Sequence, residues 1–307
     1  SGATEPMIDF GDGRGNGALV ATDVTLLREA GESDAPWMDL GGEGDTPHVL
    51  ERVTFSGAST PTLSAPVLVA GRTLGIVNGG TTTPLQARLR EVDFSLAGGT
   101  GPRLVLRNRV AFEAVDSQFW AALGQSAPAV VARSVEREPE DSGVFEDGGA
   151  TARFIDCSFI SREANLFQSL GLPTHVNVNE YVLERPVFVG GCGPTAFDLA
   201  DSRARVTVRG TDAGNMPSNE RIDLDPMLAG GTARIARLHS GRFALTEAKA
   251  SVAPPGPAHL DSAGAPLLES PVIAVARCHF TNGAGGYRCG ATGGAGAPIV
   301  TLENTVY

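Results

Sequence analysis

The stretch Ala87-Arg88-Leu89-Arg90-Glu91-Val92-Asp93-Phe94 decides the fold, because its pattern of apolar and polar residues returns along the chain. Apolar and polar residues alternate within each half of this octet, as the two-residue side-chain period of a β-strand requires. Two consecutive polar residues, Arg90 and Glu91, separate the halves where strict alternation would allow only one. The extra residue predicts a corner between two short strands.

Related octets recur along the chain and share an apolar or aromatic last residue. They end at Leu26, Phe55, Phe119, Phe159, Phe188, Phe243, Phe280 and Tyr307, with a weaker copy ending at Val208. Recurrence at intervals of roughly 25 to 40 residues is typical of a stacked-repeat architecture. We therefore expect each repeat to form one coil of a solenoid and the terminal aromatic residues to form one continuous internal file.

A second phrase, in which Ala or Gly precedes Pro and an apolar run, predicts further strands in each coil. The phrase occurs at residues 65–69, 101–106, 127–131, 193–197 and 297–300. Proline has no N–H to donate to a strand ladder but is tolerated at the first residue of a strand. We therefore expect strands to begin at these prolines, so that each coil contains several strands and corners.

These two phrases resemble those of the right-handed parallel β-helix family, the pectate-lyase-like fold of polysaccharide-active enzymes, phage tailspikes and bacterial surface proteins. Residues 154–159 resemble the Trp-Ile-Asp-His phrase of pectate lyases, with Cys157 where that family has His. The resemblance implies an all-β fold, a single-stranded right-handed parallel β-helix of about nine to ten coils with side-loop excursions. The family's Arg-Ile-Lys, Asn-Thr-Asp and Gly-His-Gly signatures do not occur in the sequence, so the resemblance implies no specific activity.

The composition fits one elongated domain over residues 1–307. A solenoid core grows in one dimension, so a chain of 307 residues with 42% hydrophobic content need not divide into domains. No segment reaches the ~18 consecutive apolar residues of a membrane span, so membrane insertion is not expected. The net charge of −11 disfavours nucleic-acid binding, because such a surface repels phosphate backbones.

The ends of the sequence and three interruptions bear on assembly. Strand-like segments already stand at 6–10 and still at 301–307, and exposed terminal coils offer unpaired strand edges. We therefore expect a fragment of a longer chain, a homo-oligomer or a larger assembly.

The segments 134–142, 162–179 and 211–219 break the repeat pattern and are predicted excursions from the stack. The middle one has a possible helical turn over residues 161–170.

The four cysteines have different expected states. Cys157 and Cys278 fall at the octet position that valine holds in other copies, so both are predicted to be buried as small apolar residues. Four cysteines permit three disulfide connectivities, and Cys278 could instead pair with Cys289 across a glycine-rich loop in an oxidising compartment, so the state of Cys192 is left open. The cysteines and histidines show no ligand spacing, so structural zinc is not expected.

The corner of the octet holds the candidate catalytic residues. Coil by coil, the corner residues are Asp23, Arg52, Glu91, Asp116, Asp156, Arg185, Ser240, Arg277 and Asn304. If coils stack at the β-strand spacing, Glu91, Asp116 and Asp156 form a column of carboxylates about 5 Å apart, the separation of a retaining glycosidase pair. Like charges this close should raise the pKa of at least one carboxyl group, as a general acid requires.

Two other interpretations of this column remain open. Carboxylates at such a corner can supply oxygen ligands to calcium, the one cofactor that the sequence makes possible. Alternatively, neighbouring arginines such as Arg88, Arg90 and Arg153 neutralise the column as a surface ion-pair ladder without chemistry.

Trp120 and Arg153 are the candidate carbohydrate-binding residues. Trp120 follows the inward Phe119, so alternation directs its indole outward, where it could lie against a sugar ring unless an excursion loop covers it. Arg153 lies next to the carboxylate column and could stabilise negative charge on a substrate.

The favoured function is a surface-exposed or virion-associated protein of the adhesin or spike type that binds a polysaccharide or cell-surface glycan outside the cell. Enzymatic activity is left open, and the alternative in that class is a polysaccharide lyase or glycoside hydrolase that uses the stacked carboxylates. A third possibility is a purely structural segment of a fibre or capsid assembly, suggested by the expected uncapped ends.

Overall fold

Each strand pairs in parallel with the equivalent strand of a neighbouring repeat, and no helix occurs among the described residues. The computed structural model describes residues 6–10, 17–29, 35–41, 46–57, 64–71, 84–107, 109–120, 127–133, 149–161, 164–170, 178–192, 195–210, 234–246, 249–251, 260–262, 272–276, 279–281, 287–289 and 299–303. The expected all-β architecture with parallel sheets is confirmed, and it is compatible with a β-solenoid.

The strands form three stacks, A, B and C. Stack A contains β1 (Ile8–Asp9), β3 (Met38–Leu40), β5 (Leu68–Ala70), β7 (Leu104–Leu106), β10 (Val130–Arg133), β13 (Phe167–Leu170), the first parts of β16 (Thr195–Arg209) and β17 (Arg234–Thr246), β19 (Leu260–Ser262) and β22 (Tyr287–Cys289). Stack B contains β2 (Val20–Arg28), β4 (His48–Gly57), β6 (Leu85–Arg90), β8 (Val110–Val115), β11 (Thr151–Ile155), β14 (Asn179–Glu184), the last parts of β16 and β17, β20 (Val272–Ala276) and β23 (Ile299–Glu303).

Stack C is shorter and follows the corner of the octet. It contains the last residues of β2 and β4, then β9 (Gln118–Trp120), β12 (Ser158–Ser161) and β15 (Val187–Cys192), and further along the chain the pair β18 (Lys249–Ser251) and β21 (His279–Thr281). Register is continuous between repeats: Leu89 lies opposite Ala114, which lies opposite Phe154. Inward side chains therefore stack directly on one another.

The terminal aromatic residues of the octets form a stacked file inside the molecule. Ring centroids lie 4.9 Å apart for Phe55 and Phe94, 5.1 Å for Phe94 and Phe119, and 5.4 Å for Phe119 and Phe159. All four rings are fully buried, so the predicted file is confirmed over these repeats. The backbone of Phe188 continues the register opposite Phe159, but its side chain lies outside the described part of the structure.

Two octets were assigned to the wrong stack. Val208 lies opposite Leu183, and Phe243 lies opposite Val206, so both belong to stack B instead of the aromatic file of stack C. Ser240, predicted at the corner, lies within β17. The error arises because inward positions recur every second residue in each stack, and apolar alternation alone does not distinguish one stack from the other.

The predicted excursion at 162–179 is also wrong in part. Residues 167–170, where a helical turn was predicted, form β13 and pair with Val130–Arg133. Buried and half-buried residues alternate along this strand, so its ladder and packing outweigh a helical pattern that rested on Leu166 and Leu170 alone. The other two predicted excursions, 134–142 and 211–219, lie outside the described residues.

The proline phrases and Cys157 follow the prediction closely. Within the described residues, the prolines at 66, 102 and 128 each precede a stack A strand by two residues. Cys157 is a free, fully buried thiol, and burial raises the pKa of its thiol group to about 12. It therefore acts as a small apolar residue at neutral pH, whereas Cys278 lies outside the described residues.

His48 is a buried polar residue in the interior of stack B. Its Nδ1 accepts a hydrogen bond from the Leu19 backbone N–H at 3.1 Å, and its ring packs edge-on against Phe10 at 5.3 Å. Burial lowers the pKa of His48, and a hydrogen bond with the Gly41 backbone opposes this effect only in part. The fold therefore favours the neutral imidazole over the protonated one.

Replacing Phe94 with Ala removes a ring that stacks on both sides, so we expect the free energy of unfolding to fall by about 3–5 kcal/mol. Phe94→Leu keeps much of the buried volume and should cost clearly less. The control is Leu96→Ala, whose side chain is 58% exposed and should change stability by less than about 0.5 kcal/mol. Urea denaturation measures all three, and equal losses in Phe94→Ala and Leu96→Ala would contradict the internal file.

Acidification should destabilise the protein partly through His48. Because the pKa of His48 is lower in the folded state, the unfolded chain binds the proton more readily, and stability falls as the pH drops below about 6.5. We expect the loss of melting temperature between pH 7.5 and pH 5 to be smaller in His48→Gln than in the wild type. If the wild type and His48→Gln lost the same melting temperature over this pH range, the neutral, buried state of His48 would be contradicted.

Candidate functional site

A single residue with positive φ forms the corner between stacks B and C in six repeats of the described structure. These residues are Asp23 (φ 56°), Arg52 (52°), Glu91 (52°), Asp116 (50°), Asp156 (53°) and Arg185 (48°). The left-handed conformation costs a residue with a Cβ roughly 1–2 kcal/mol, and it is tolerated best by Asp and Asn after Gly. The predicted corner is therefore present, and Arg and Glu occupy it against their backbone preference.

The corner residues lie at consecutive levels of one column. Their amides donate to carbonyls of the next repeat: Glu91 N to Val115 O at 3.0 Å, Asp116 N to Ile155 O at 3.0 Å and Asp156 N to Glu184 O at 3.0 Å. Glu91, Asp116 and Asp156 therefore occupy three successive positions of the column, at the strand spacing of about 4.8 Å. Ser240 does not belong to this column, and Arg277 and Asn304 lie outside the described residues.

Arginines of the same column hold two of its carboxylates. Arg185 donates two hydrogen bonds to the Asp156 carboxylate, from Nε to Oδ1 at 2.7 Å and from Nη2 to Oδ2 at 2.6 Å. Arg52 donates to Asp23 in the same way, from Nε to Oδ1 at 2.5 Å and from Nη2 to Oδ2 at 3.0 Å. These hydrogen bonds lower the pKa of Asp23. Each pair joins adjacent repeats through a two-point contact, which is the strong geometry for a guanidinium and a carboxylate.

Glu91 and Asp116 are less well compensated. Glu91 Oε1 lies 3.5 Å from Nε of the adjacent Arg90, and both side chains are exposed. No Arg or Lys nitrogen among the described residues lies within 4.0 Å of the Asp116 carboxylate. Arginine thus neutralises Asp156, whereas Glu91 and Asp116 remain as a less compensated acidic pair at the centre of the column.

Metal binding at this column stays a prediction. The described part of the chain contains no group of three or more His, Cys, Asp or Glu side chains arranged to hold a metal ion. The residues that could supply oxygen ligands to calcium are therefore Glu91 and Asp116, because Arg185 already occupies both oxygens of Asp156.

Arg153 lies on the outer side of stack B, between carboxylates of both neighbouring repeats. Its Nη2 lies 2.9 Å from Glu184 Oε1, and its Nη1 lies 3.8 Å from Glu113 Oε2. The side chain is half exposed, so one edge remains accessible to solvent. The structure does not bring Arg153 to Trp120, which belongs to stack C.

Trp120 lies on the outer side of β9, as alternation with the buried Phe119 predicts. Its indole is half-buried, and Nε1 donates a hydrogen bond to Ser158 Oγ at 2.9 Å in the next repeat. Its backbone carbonyl accepts a hydrogen bond from Arg103 Nε at 2.7 Å. The ring and the backbone of Trp120 are therefore both held in place.

Small polar side chains dominate the outer surface of stack C beside Trp120. We call the aligned residues the outer row: Thr25, Thr54, Asp93, Gln118, Ser158 and Val187. The Asp93 carboxylate, the one charge in this row, accepts a hydrogen bond from Ser95 N at 2.7 Å. Hydroxyl and amide groups repeat here at the strand spacing, whereas stack B presents arginines and glutamates.

Arg103 is a buried cation that the sequence analysis did not single out. It occupies an interior position that Trp37, Val67, Ala129 and Leu166 hold in other repeats, and its side chain is fully buried. Burial lowers the pKa of the Arg103 guanidinium to about 10. The available signal was a charged residue at a position that is uncharged in the other proline phrases.

Asp39 and Arg107 form a second feature that the sequence did not reveal. Arg107 Nη1 lies 2.9 Å from Asp39 Oδ2, and Asp39 is only 6% exposed on the outer side of β3. The Arg107 side chain crosses the intervening repeat at Gly71, where a Cβ would lie 2.8 Å from Arg107 Cβ. Burial raises the pKa of Asp39 although Arg107 opposes the shift, which is typical of a structural, desolvated ion pair.

Comparisons of the chain with protein-family models, with curated proteins and with solved structures found no match. Within the described residues, no helix is long and apolar enough to span a membrane. Function is therefore inferred from the chemistry of the chain's own side chains.

Replacing Glu91 with Asn should stabilise the protein by about 0.5–1 kcal/mol. Asn adopts the left-handed conformation more readily than Glu, and the change removes one of three adjacent negative charges. Glu113→Asn is the matched control, because Glu113 lies in a strand, where Asn is disfavoured, and should bring no gain. Denaturant unfolding measures both, and a destabilised Glu91→Asn would show that the Glu91 carboxylate has a stabilising partner.

Proposed function

We propose that the chain is a right-handed parallel β-helix of about nine to ten coils that binds an extended polysaccharide along stack C. It would act outside the cell as a surface protein of the adhesin or viral-spike type. The observation that carries this proposal is Trp120, whose outward indole is fixed by its hydrogen bond to Ser158 beside the outer row.

The chemistry of the outer row supports a glycan as ligand. An indole offers a flat apolar surface to the C–H face of a sugar ring, and neighbouring hydroxyl and amide groups can exchange hydrogen bonds with sugar hydroxyls. The strands of stack C repeat about every 4.8 Å, close to the length of one sugar ring, so a chain could lie across several repeats.

The corner column leaves one acidic pair for a catalytic alternative. Both oxygens of the Asp156 carboxylate accept hydrogen bonds from Arg185, so a lyase or hydrolase would depend on Glu91 and Asp116. On stack B, Arg153 is likewise engaged, since it contacts Glu184 and approaches Glu113. A polysaccharide lyase, a glycoside hydrolase and a purely structural fibre segment are the alternatives that the following experiment separates.

Binding to a panel of neutral and acidic polysaccharides should weaken about tenfold in Trp120→Ala, which corresponds to ~1.4 kcal/mol. Trp120→Phe keeps an aromatic surface without the Nε1 donor and should be intermediate. Val20→Ala, which removes an exposed apolar side chain on stack B, is the control and should bind like the wild type. Isothermal titration calorimetry or a glycan array provides the measurement.

Three outcomes would count against this function. Unchanged binding in Trp120→Ala would remove the indole from the site. Release of reducing ends or unsaturated products by the wild-type protein would indicate an enzyme, and its loss in Asp116→Asn would assign the corner column to it. Absence of binding across the panel would favour the structural role.

A further inference from the structure

Arg103 is fixed in the interior by the ladders on both sides of it. Its N–H donates to Ala129 O at 3.0 Å, and its carbonyl accepts from Leu68 N at 3.0 Å. The aligned residues Val67 and Ala129 in the neighbouring repeats are buried apolar residues. The Arg103 side chain therefore enters an apolar environment and has no exposed surface.

The guanidinium is only partly satisfied. Its Nε donates to Trp120 O, whereas Nη1 and Nη2 are buried and have no hydrogen-bond partner among the described residues. Burial is the one cause of the lowered Arg103 pKa, and no carboxylate opposes it. The group thus combines a full positive charge with up to four N–H donors that point at no protein acceptor.

Such a group is costly in an apolar interior. An unpaired buried charge strongly destabilises a fold, and arginine does not escape the cost by losing its proton near neutral pH. An apolar side chain at this position would carry no such desolvation cost. The neighbouring repeats have apolar residues there, Val67 and Ala129. No carboxylate of the described residues supplies a counter-charge, so an anion bound at Nη1 and Nη2 would remove this cost.

We propose that Nη1 and Nη2 of Arg103 bind a small monovalent anion of the halide class inside the repeat stack. A single negative charge balances the guanidinium, whereas a divalent anion would leave an excess charge buried. The Arg103 side chain has no exposed surface, which favours an occupant the size of one atom over an extended ligand.

The proposed anion also affects Trp120 through Arg103. Arg103 Nε holds the carbonyl of Trp120, so neutralising the guanidinium stabilises the backbone that carries the outward indole. The anion site goes beyond the proposed polysaccharide binding and does not depend on it. Its experiments use stability and diffraction, so either proposal can fail without the other.

The first test follows melting temperature in a sodium chloride series at constant ionic strength, with sodium gluconate as the balancing salt. We expect the wild-type melting temperature to rise by about 5 °C once chloride reaches ~100 times its Kd, and bromide to act similarly. Arg103→Met, which has similar volume and no charge, should show no such slope. Arg103→Lys keeps the charge without the fork and should retain a reduced slope.

The second test needs no variant: crystals of the wild-type protein grown in sodium bromide should show an anomalous peak within hydrogen-bond distance of Arg103 Nη1 or Nη2. A water molecule or a protein carboxylate in that place would overturn the proposal. Equal chloride slopes in the wild type and Arg103→Met would overturn it as well.

Discussion

The one-residue left-handed corner between stacks B and C is the constraint on which the rest of the structure depends. It turns the chain in six repeats with the same φ to within a few degrees, from Asp23 to Arg185. Because each repeat uses one residue for the turn, the strands on both sides stay in register with their neighbours. A slip of one residue would direct Phe94 and its equivalents to the surface, since successive side chains of a strand face opposite sides.

The charged groups on the outside have a different role from the aromatic file inside. The pairs Arg52–Asp23, Arg185–Asp156 and Arg153–Glu184 each connect adjacent repeats, and all of these side chains are partly exposed. Exposed ion pairs contribute little because solvent screens them, whereas removal of a buried Phe costs about 3–5 kcal/mol. The ladder therefore neutralises like charges that the stacking brings together, while the interior supplies most of the stability.

The sequence predicted the features that depend on neighbouring residues and on recurrence. The corner, the file from Phe55 to Phe159 and the buried Cys157 all follow from alternation and from an octet that repeats. Phe243 was misplaced because the same alternation occurs in two stacks, and register with Val206 decides between them only in three dimensions. The pair Asp39–Arg107 could not be predicted, because its members lie 68 residues apart and meet across a whole repeat.

Buried polar groups distinguish structural positions from candidate functional ones. Asn179 is buried, but its Oδ1 accepts from Ala150 N and its Nδ2 donates to Ser169 Oγ, so neighbouring chain segments satisfy it. Arg103 has only the Trp120 carbonyl among the described residues.

The residues that lack such partners, or that face outward, lie together in one repeat of the stack. Arg103, the uncompensated Asp116 and the outward Trp120 all belong to one repeat, residues 101–120. In a stack where repeats contact mainly their neighbours, a local cost in charge or backbone strain is offset locally or retained for function. These three features lie in a single repeat, whose Phe119 stacks on Phe94 and Phe159 of the neighbouring repeats, and stability alone does not explain them.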